Sequence, residues 1–136
     1  IWDGGNNDLP FFAPDLLIAV ADALRPGPET TYHPGEAVLR RADVVLVNKV
    51  GGADPAVVER LVADITTVNP GAAVMRAESP VVLDPGPDLA GARVLCVEDG
   101  PTTTHGGLAR GAAVVAAEAA GAVLVDGRAC AVGAIA

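Results

Sequence analysis

Short β-branched runs alternate along this chain with stretches of helical spacing, and each run gives way to a loop rich in Gly, Pro or acid. Residues 15–21 are a continuous apolar run behind one acid; they predict a buried strand, closed by the turn Arg25-Pro26-Gly27-Pro28. Residues 36–42 predict a short helix or turn carrying Arg40 and Arg41. Residues 43–47 give the clearest strand, nearly unbroken Val and Leu, as a parallel strand covered on both faces would be. Asp54 and Pro55 then open a helix: the acid can accept an amide that lacks a partner, and proline at the first position gives up no bond. Val57, Val58, Leu61, Val62 and Ile65 keep helical spacing until Asn69-Pro70-Gly71 ends it.

Residues 73–76 and 81–83 are two further strand candidates, and the Asp- and Pro-rich stretch 84–88 is the best boundary in the chain. Beyond it, residues 93–98 predict a buried strand, 108–120 an Ala-rich helix and 123–125 another strand. Alternation of strand and helix with short joints predicts an α/β fold with a mainly parallel sheet flanked by helices, in a three-layer arrangement. Two segments are expected, residues 1–88 and 89–136.

Composition narrows the functional classes. The 136 residues are 51% hydrophobic and 19% charged, with a mean hydropathy of +0.41, which suits a chain that builds a core. The apolar runs fall well short of the roughly 18 residues of a membrane span. Lys and Arg number 9 against 17 Asp and Glu, for a net charge of −8 and a pI near 4.5. A basic stripe is absent, so neither nucleic acid nor membrane is expected as partner. Cys96 and Cys130 lie in apolar surroundings and read as buried thiols of a cytoplasmic protein. The chain opens on Ile1-Trp2-Asp3, as though a first strand were already under way, and is read as a piece of a longer protein. A cut sheet would expose an edge, so association into a homo-oligomer is expected.

In open parallel sheets, ligands collect at the carboxyl ends of the strands. Asp3-Gly4-Gly5-Asn6-Asn7-Asp8 suits Mg²⁺ beside a phosphate chain, with Asp3 as ligand; a plain Gly-rich turn is the alternative. Asn48-Lys49-Val50-Gly51 follows the strand at 43–47 and is similar to the Asn-Lys-x-Asp motif with which GTP-binding proteins read the base. The fourth position is Gly51, which has no carboxylate to accept hydrogen bonds from guanine; Asp54 could supply one, but the helix N-cap competes for it. Lys49 is the only lysine. Glu98-Asp99-Gly100-Pro101-Thr102-Thr103-Thr104-His105-Gly106-Gly107 leads into a helix, with Arg110 one turn on. Thr104, Gly106 and Gly107 could hold a phosphate at the helix N-terminus, Glu98 and Asp99 a metal or catalytic step, and His105 a proton. Arg25 and Arg128 both follow predicted strands and are candidate phosphate clamps, whereas His33 reads as an ordinary loop histidine. No Gly-x-x-x-x-Gly-Lys-[Ser/Thr] loop occurs, so this segment alone should not hydrolyse nucleotide.

Several tracts, taken in order, resemble the cyclic 2,3-diphosphoglycerate synthetase family and its GTPase-annotated relatives. They are IWDGGNNDLPFF at 1–12, DALRPG at 22–27, YHPGE at 32–36, ADVVLVNKV at 42–50, VEDGPT at 97–102 and THGG at 104–107. The resemblance implies a P-loop core whose phosphate-binding loop lies upstream, so that 1–88 is the C-terminal part of a nucleotide-binding domain and 89–136 a Rossmann-like segment. It implies an ATP-driven ligase that closes a phosphoanhydride within 2,3-diphosphoglycerate, a small phosphorylated substrate. ATP (or GTP) and Mg²⁺ are then required, with Asp3 on the metal, Asn48 and Lys49 on the base, and Glu98–Arg110 on substrate phosphates or a second metal contact. A GTPase-like regulatory or chaperone protein and a degenerate fragment without activity are the competing readings.

Overall fold

Parallel pairing organises the first half of the chain. In the computed structural model, which describes residues 1–5, 8–98, 110–130 and 132, β1 (Ile18–Asp22), β2 (Val44–Asn48) and β3 (Ala73–Arg76) form one sheet in that order. Ile18 pairs with Val44 and Asp22 with Asn48; Val44 pairs with Ala73 and Val47 with Arg76. Between the strands lie α1 (Pro28–Thr31), α2 (His33–Arg41) and α3 (Pro55–Val68). Asp54 caps α3 through a bond from the Ala56 amide at 2.8 Å, and Pro55 occupies the first turn. The Asn69 side chain ends α3 and donates to the carbonyls of Leu39 and Ala42, both at 2.9 Å, tying the end of α2 to that of α3.

Alternation along the strands decides where the core sits. Ala21, Val45 and Val47 turn to one face and are buried against Leu39 of α2 and Val58, Leu61 and Ile65 of α3. Burying each of those large side chains contributes about 1.5–3 kcal/mol. The other face is open: Ile18, Val20 and Met75 are 52%, 66% and 56% exposed.

Contact density divides the chain into Ile1–Pro80 and Val81–Ala136, upstream of the 84–88 stretch. The second unit holds a small βαβ element, β4 (Arg93–Val94), α4 (Ala112–Ala119) and β5 (Val123–Leu124), with β4 and β5 parallel. Ala116 and Ala117 pack inward, and Gly121, at a φ of 73° closed to most side chains, turns the chain from α4 into β5. The α/β class with parallel strands is therefore as expected.

Three local expectations are corrected. Residues 81–83 form no strand: Val81, Val82 and Leu83 are exposed and have no strand beside them. The strand expected over 93–98 pairs only at Arg93–Val94, because β5 is two residues long and offers no further partner. Ile1–Gly5 is not a strand either; Trp2 packs edge-on against Phe11 and Phe12 at 5.0 and 5.8 Å between ring centres. No helix among the described residues is long and apolar enough to cross a membrane.

Candidate site at the carboxyl ends of the strands

The parallel register brings the ends of β1, β2 and β3 to one edge, where the polar groups of the first unit converge. Asp22 ends β1 beside Asn48, which ends β2. The Asp22 Oδ2 accepts from Lys49 Nζ at 2.8 Å and Arg25 Nε at 3.1 Å, while Oδ1 accepts from the Leu24 amide at 3.0 Å. Partial burial pushes the Asp22 carboxyl up, but the bonds from Lys49, Leu24 and Arg25 outweigh it and hold the group below its ordinary value. Asp22 is therefore an anion that fixes two cations.

Lys49 is held in the left-handed region (φ 63°, ψ 32°), the single non-glycine residue with positive φ among those described. Such a conformation costs about 1–3 kcal/mol and persists where the surroundings impose it. Here they do: Asn48 Oδ1 accepts the Lys49 amide at 2.9 Å, and Asp22 holds the ammonium. Asn48 Nδ2 makes no hydrogen bond among the described residues and remains available to a ligand acceptor.

Past β3 the ladder continues, with Ala77 donating to Val47 at 2.8 Å and accepting from Val50 at 3.2 Å. That pairing sets Glu78 against the 3-10 turn Val50–Gly52, and its Oε2 accepts the Gly51 amide at 3.1 Å. A Cβ on Gly51 would collide with the Glu78 carboxylate. Neither Asp22 nor Glu78 is among the candidate site residues, although Asp22 opens the tract at 22–27. Asp22 is the last residue of the apolar run that becomes β1, and that position is a signal which could have found it; Glu78 lies two residues past Arg76, the charged end of β3, where the sequence carries no such signal.

The other candidates are placed as follows. Arg25 and Lys49 come together on Asp22. Asp54 is engaged as the cap of α3. Asp3 is exposed, and Gly5 donates its amide to Asp8 Oδ2 at 2.9 Å. In the second unit, Glu98 Oε1 accepts the Val114 amide at 3.0 Å, so its carboxylate caps α4 from outside the helix. Arg110 pairs with Glu118 at 2.9 Å on the surface. Arg128 pairs with Asp126 at 2.7 Å, and bonds from its side chain and backbone bring that exposed carboxyl down to about 2. Asp99, Thr104, His105, Gly106 and Gly107 lie outside the described residues. Among the described residues no three His, Cys, Asp or Glu side chains come together. A Mg²⁺ ion that keeps water and substrate phosphates needs only one or two protein carboxylates, and Asp3 offers one exposed carboxylate.

The chain is 50% identical over 136 residues to a protein named arginine synthetase ArcE of Thermococcus kodakarensis. The match covers 99% of this chain and 30% of that protein, so the chain spans about a third of the relative's length. The relative's name specifies arginine rather than a cyclic diphosphoglycerate. No family model matches the chain, and no solved structure matches it.

Proposed function

We propose that this chain is the base-binding part of a nucleotide-dependent ligase. The observation that carries the reading is the strained Lys49, pinned by Asp22 beside an amide of Asn48 left open at the carboxyl edge of a parallel sheet. Ligands of open α/β sheets bind at that edge. The synthetase name of the 50% identical relative supports the reaction class. ATP or GTP is the phosphoryl donor. Mg²⁺ on Asp3 would neutralise the phosphate oxygens.

Lys49 and Asn48 orient the base, and Asp22 keeps Lys49 and Arg25 in place. The γ-phosphoryl group passes to an acceptor oxygen and the nucleoside diphosphate leaves. A nucleophile then displaces inorganic phosphate at the activated centre. Following the relative's name, the acceptor is the ureido oxygen of an amino acid that has arginine's chain with oxygen in place of one guanidinium nitrogen; ammonia is the nucleophile. The tracts at 1–12 and 97–107 favour a second acceptor, 2,3-diphosphoglycerate, whose own second phosphate closes the phosphoanhydride. Positioning and charge neutralisation carry most of the rate in either case.

Full-length protein given MgATP or MgGTP with each acceptor in turn tests the reading. Nucleoside diphosphate released only with the ureido acid and ammonium, together with arginine, supports the first acceptor. Release dependent on the bisphosphate supports the second. Hydrolysis indifferent to both supports a regulatory nucleotide switch instead.

A further inference from the structure

The base-reading resemblance stops at Gly51, where the pattern has an acid, and the structure puts an acid into that space from the segment that follows another strand. Glu78 stands past the end of β3, and its carboxylate occupies the place that a side chain on Gly51 would take. Glycine at 51 is thus explained by space: its φ is not positive, and what excludes a side chain is the Glu78 head group. Oε2 is tethered by the Gly51 amide at 3.1 Å, whereas Oε1 accepts no hydrogen bond among the described residues. The cations nearby in sequence are engaged elsewhere: Lys49 with Asp22 at 2.8 Å and Arg76 with Glu59 at 2.8 Å. An exposed carboxylate with one oxygen fixed and one free is a single, oriented acceptor.

We infer that Glu78 is the specificity-determining acid of the base pocket, supplied by the segment that follows β3 in place of the missing side chain at 51, and that its free oxygen accepts the exocyclic amino group of a purine. The inference rests on the nucleotide reading above and adds to it the residue that selects the base. Adenine presents that amino group at N6 and guanine at N2; hypoxanthine has neither. Discrimination against inosine nucleotide follows in either pose: against adenine, its 6-oxo oxygen would face the carboxylate, and against guanine, it lacks the N2 donor that the carboxylate accepts.

The test is calorimetric titration of full-length protein with MgATP, MgGTP and MgITP, for the wild type, Glu78→Gln, Glu78→Ala and the double variant Gly51→Asp/Glu78→Ala. A hydrogen bond to a charged acceptor corresponds to about 10- to 100-fold in affinity. The wild type should bind ATP or GTP tighter than ITP by that factor; the preferred amino nucleotide tells N6 from N2. Glu78→Gln, which presents an amide N–H to the 6-oxo group, should erase or invert the ratio, and Glu78→Ala should erase it. The double variant returns the carboxylate from the other side of the same space and should restore it, an outcome that a merely structural role for Glu78 would not give. Thermal melting of each variant checks folding, which an exposed side chain with one hydrogen bond should barely affect. Nucleotide binding with an ITP ratio unchanged by Glu78→Gln and Glu78→Ala would overturn the inference and leave the nucleotide reading intact. Failure of wild type to bind any of the three overturns both.

Discussion

Asp22→Asn is the substitution that most directly probes the strand-end cluster. The change keeps side-chain volume and leaves an acceptor for the Leu24 amide. It sets an NH₂ group where Oδ2 now receives Lys49 Nζ at 2.8 Å and Arg25 Nε at 3.1 Å. Two charge-assisted bonds disappear and donors face donors. Shielded bonds of this kind contribute about 1.5–3 kcal/mol each. The Arg25 and Lys49 side chains keep 33% and 30% of their surface exposed, so screening reduces the sum. The expected loss is about 2 kcal/mol at pH 7, read from urea unfolding by circular dichroism. Because the folded-state pKa of Asp22 is lowered, its contribution is present above the unfolded value near 4 and is lost as pH falls through the lowered folded value. The gap between wild type and variant should therefore close in acid. A loss under about 0.5 kcal/mol at pH 7, or a gap equally wide at pH 7 and pH 3, would refute the reasoning.

Other outcomes follow from the same geometry. Asp54→Ala removes the α3 cap and should lower stability by about 1 kcal/mol, read as a lower Tm. Leu61→Ala, at a fully buried position between α3 and the sheet, should cost about 2–5 kcal/mol in urea unfolding. Glu98→Ala strips the Val114 amide of its partner and should speed hydrogen exchange in the first turn of α4 well before it changes β1–β3.

Legibility from sequence followed the local strength of each signal. β2, α3 and β3 were readable because unbroken Val and Leu, an Asp-Pro start and an Asn-Pro-Gly stop each state their own boundary. Residues 81–83 have the same apolar character, yet a strand exists only through its neighbour, and none pairs there. β1 begins at Ile18 rather than at residue 15 because the Leu17 amide bonds to the Asp43 side chain at 2.8 Å, a tertiary contact that periodicity does not encode. At the site, Asn48 and Lys49 were visible as a motif, while their partners Asp22 and Glu78 were hidden at and just past plain strand ends. Asp22 lies 27 residues from Lys49, and Glu78 lies 27 from Gly51. Only the parallel register that sets β1 and β3 beside β2 brings them together.

The central claim is that the ends of β1 and β2 hold a nucleotide base. Calorimetric titration of full-length protein with MgATP and MgGTP, wild type against Lys49→Met, tests it most directly. The account predicts saturable binding of at least one nucleotide, weakened tenfold or more by Lys49→Met while the melting temperature shifts by a few degrees at most. Absence of heat with both nucleotides, or equal affinity of the two proteins, would contradict it.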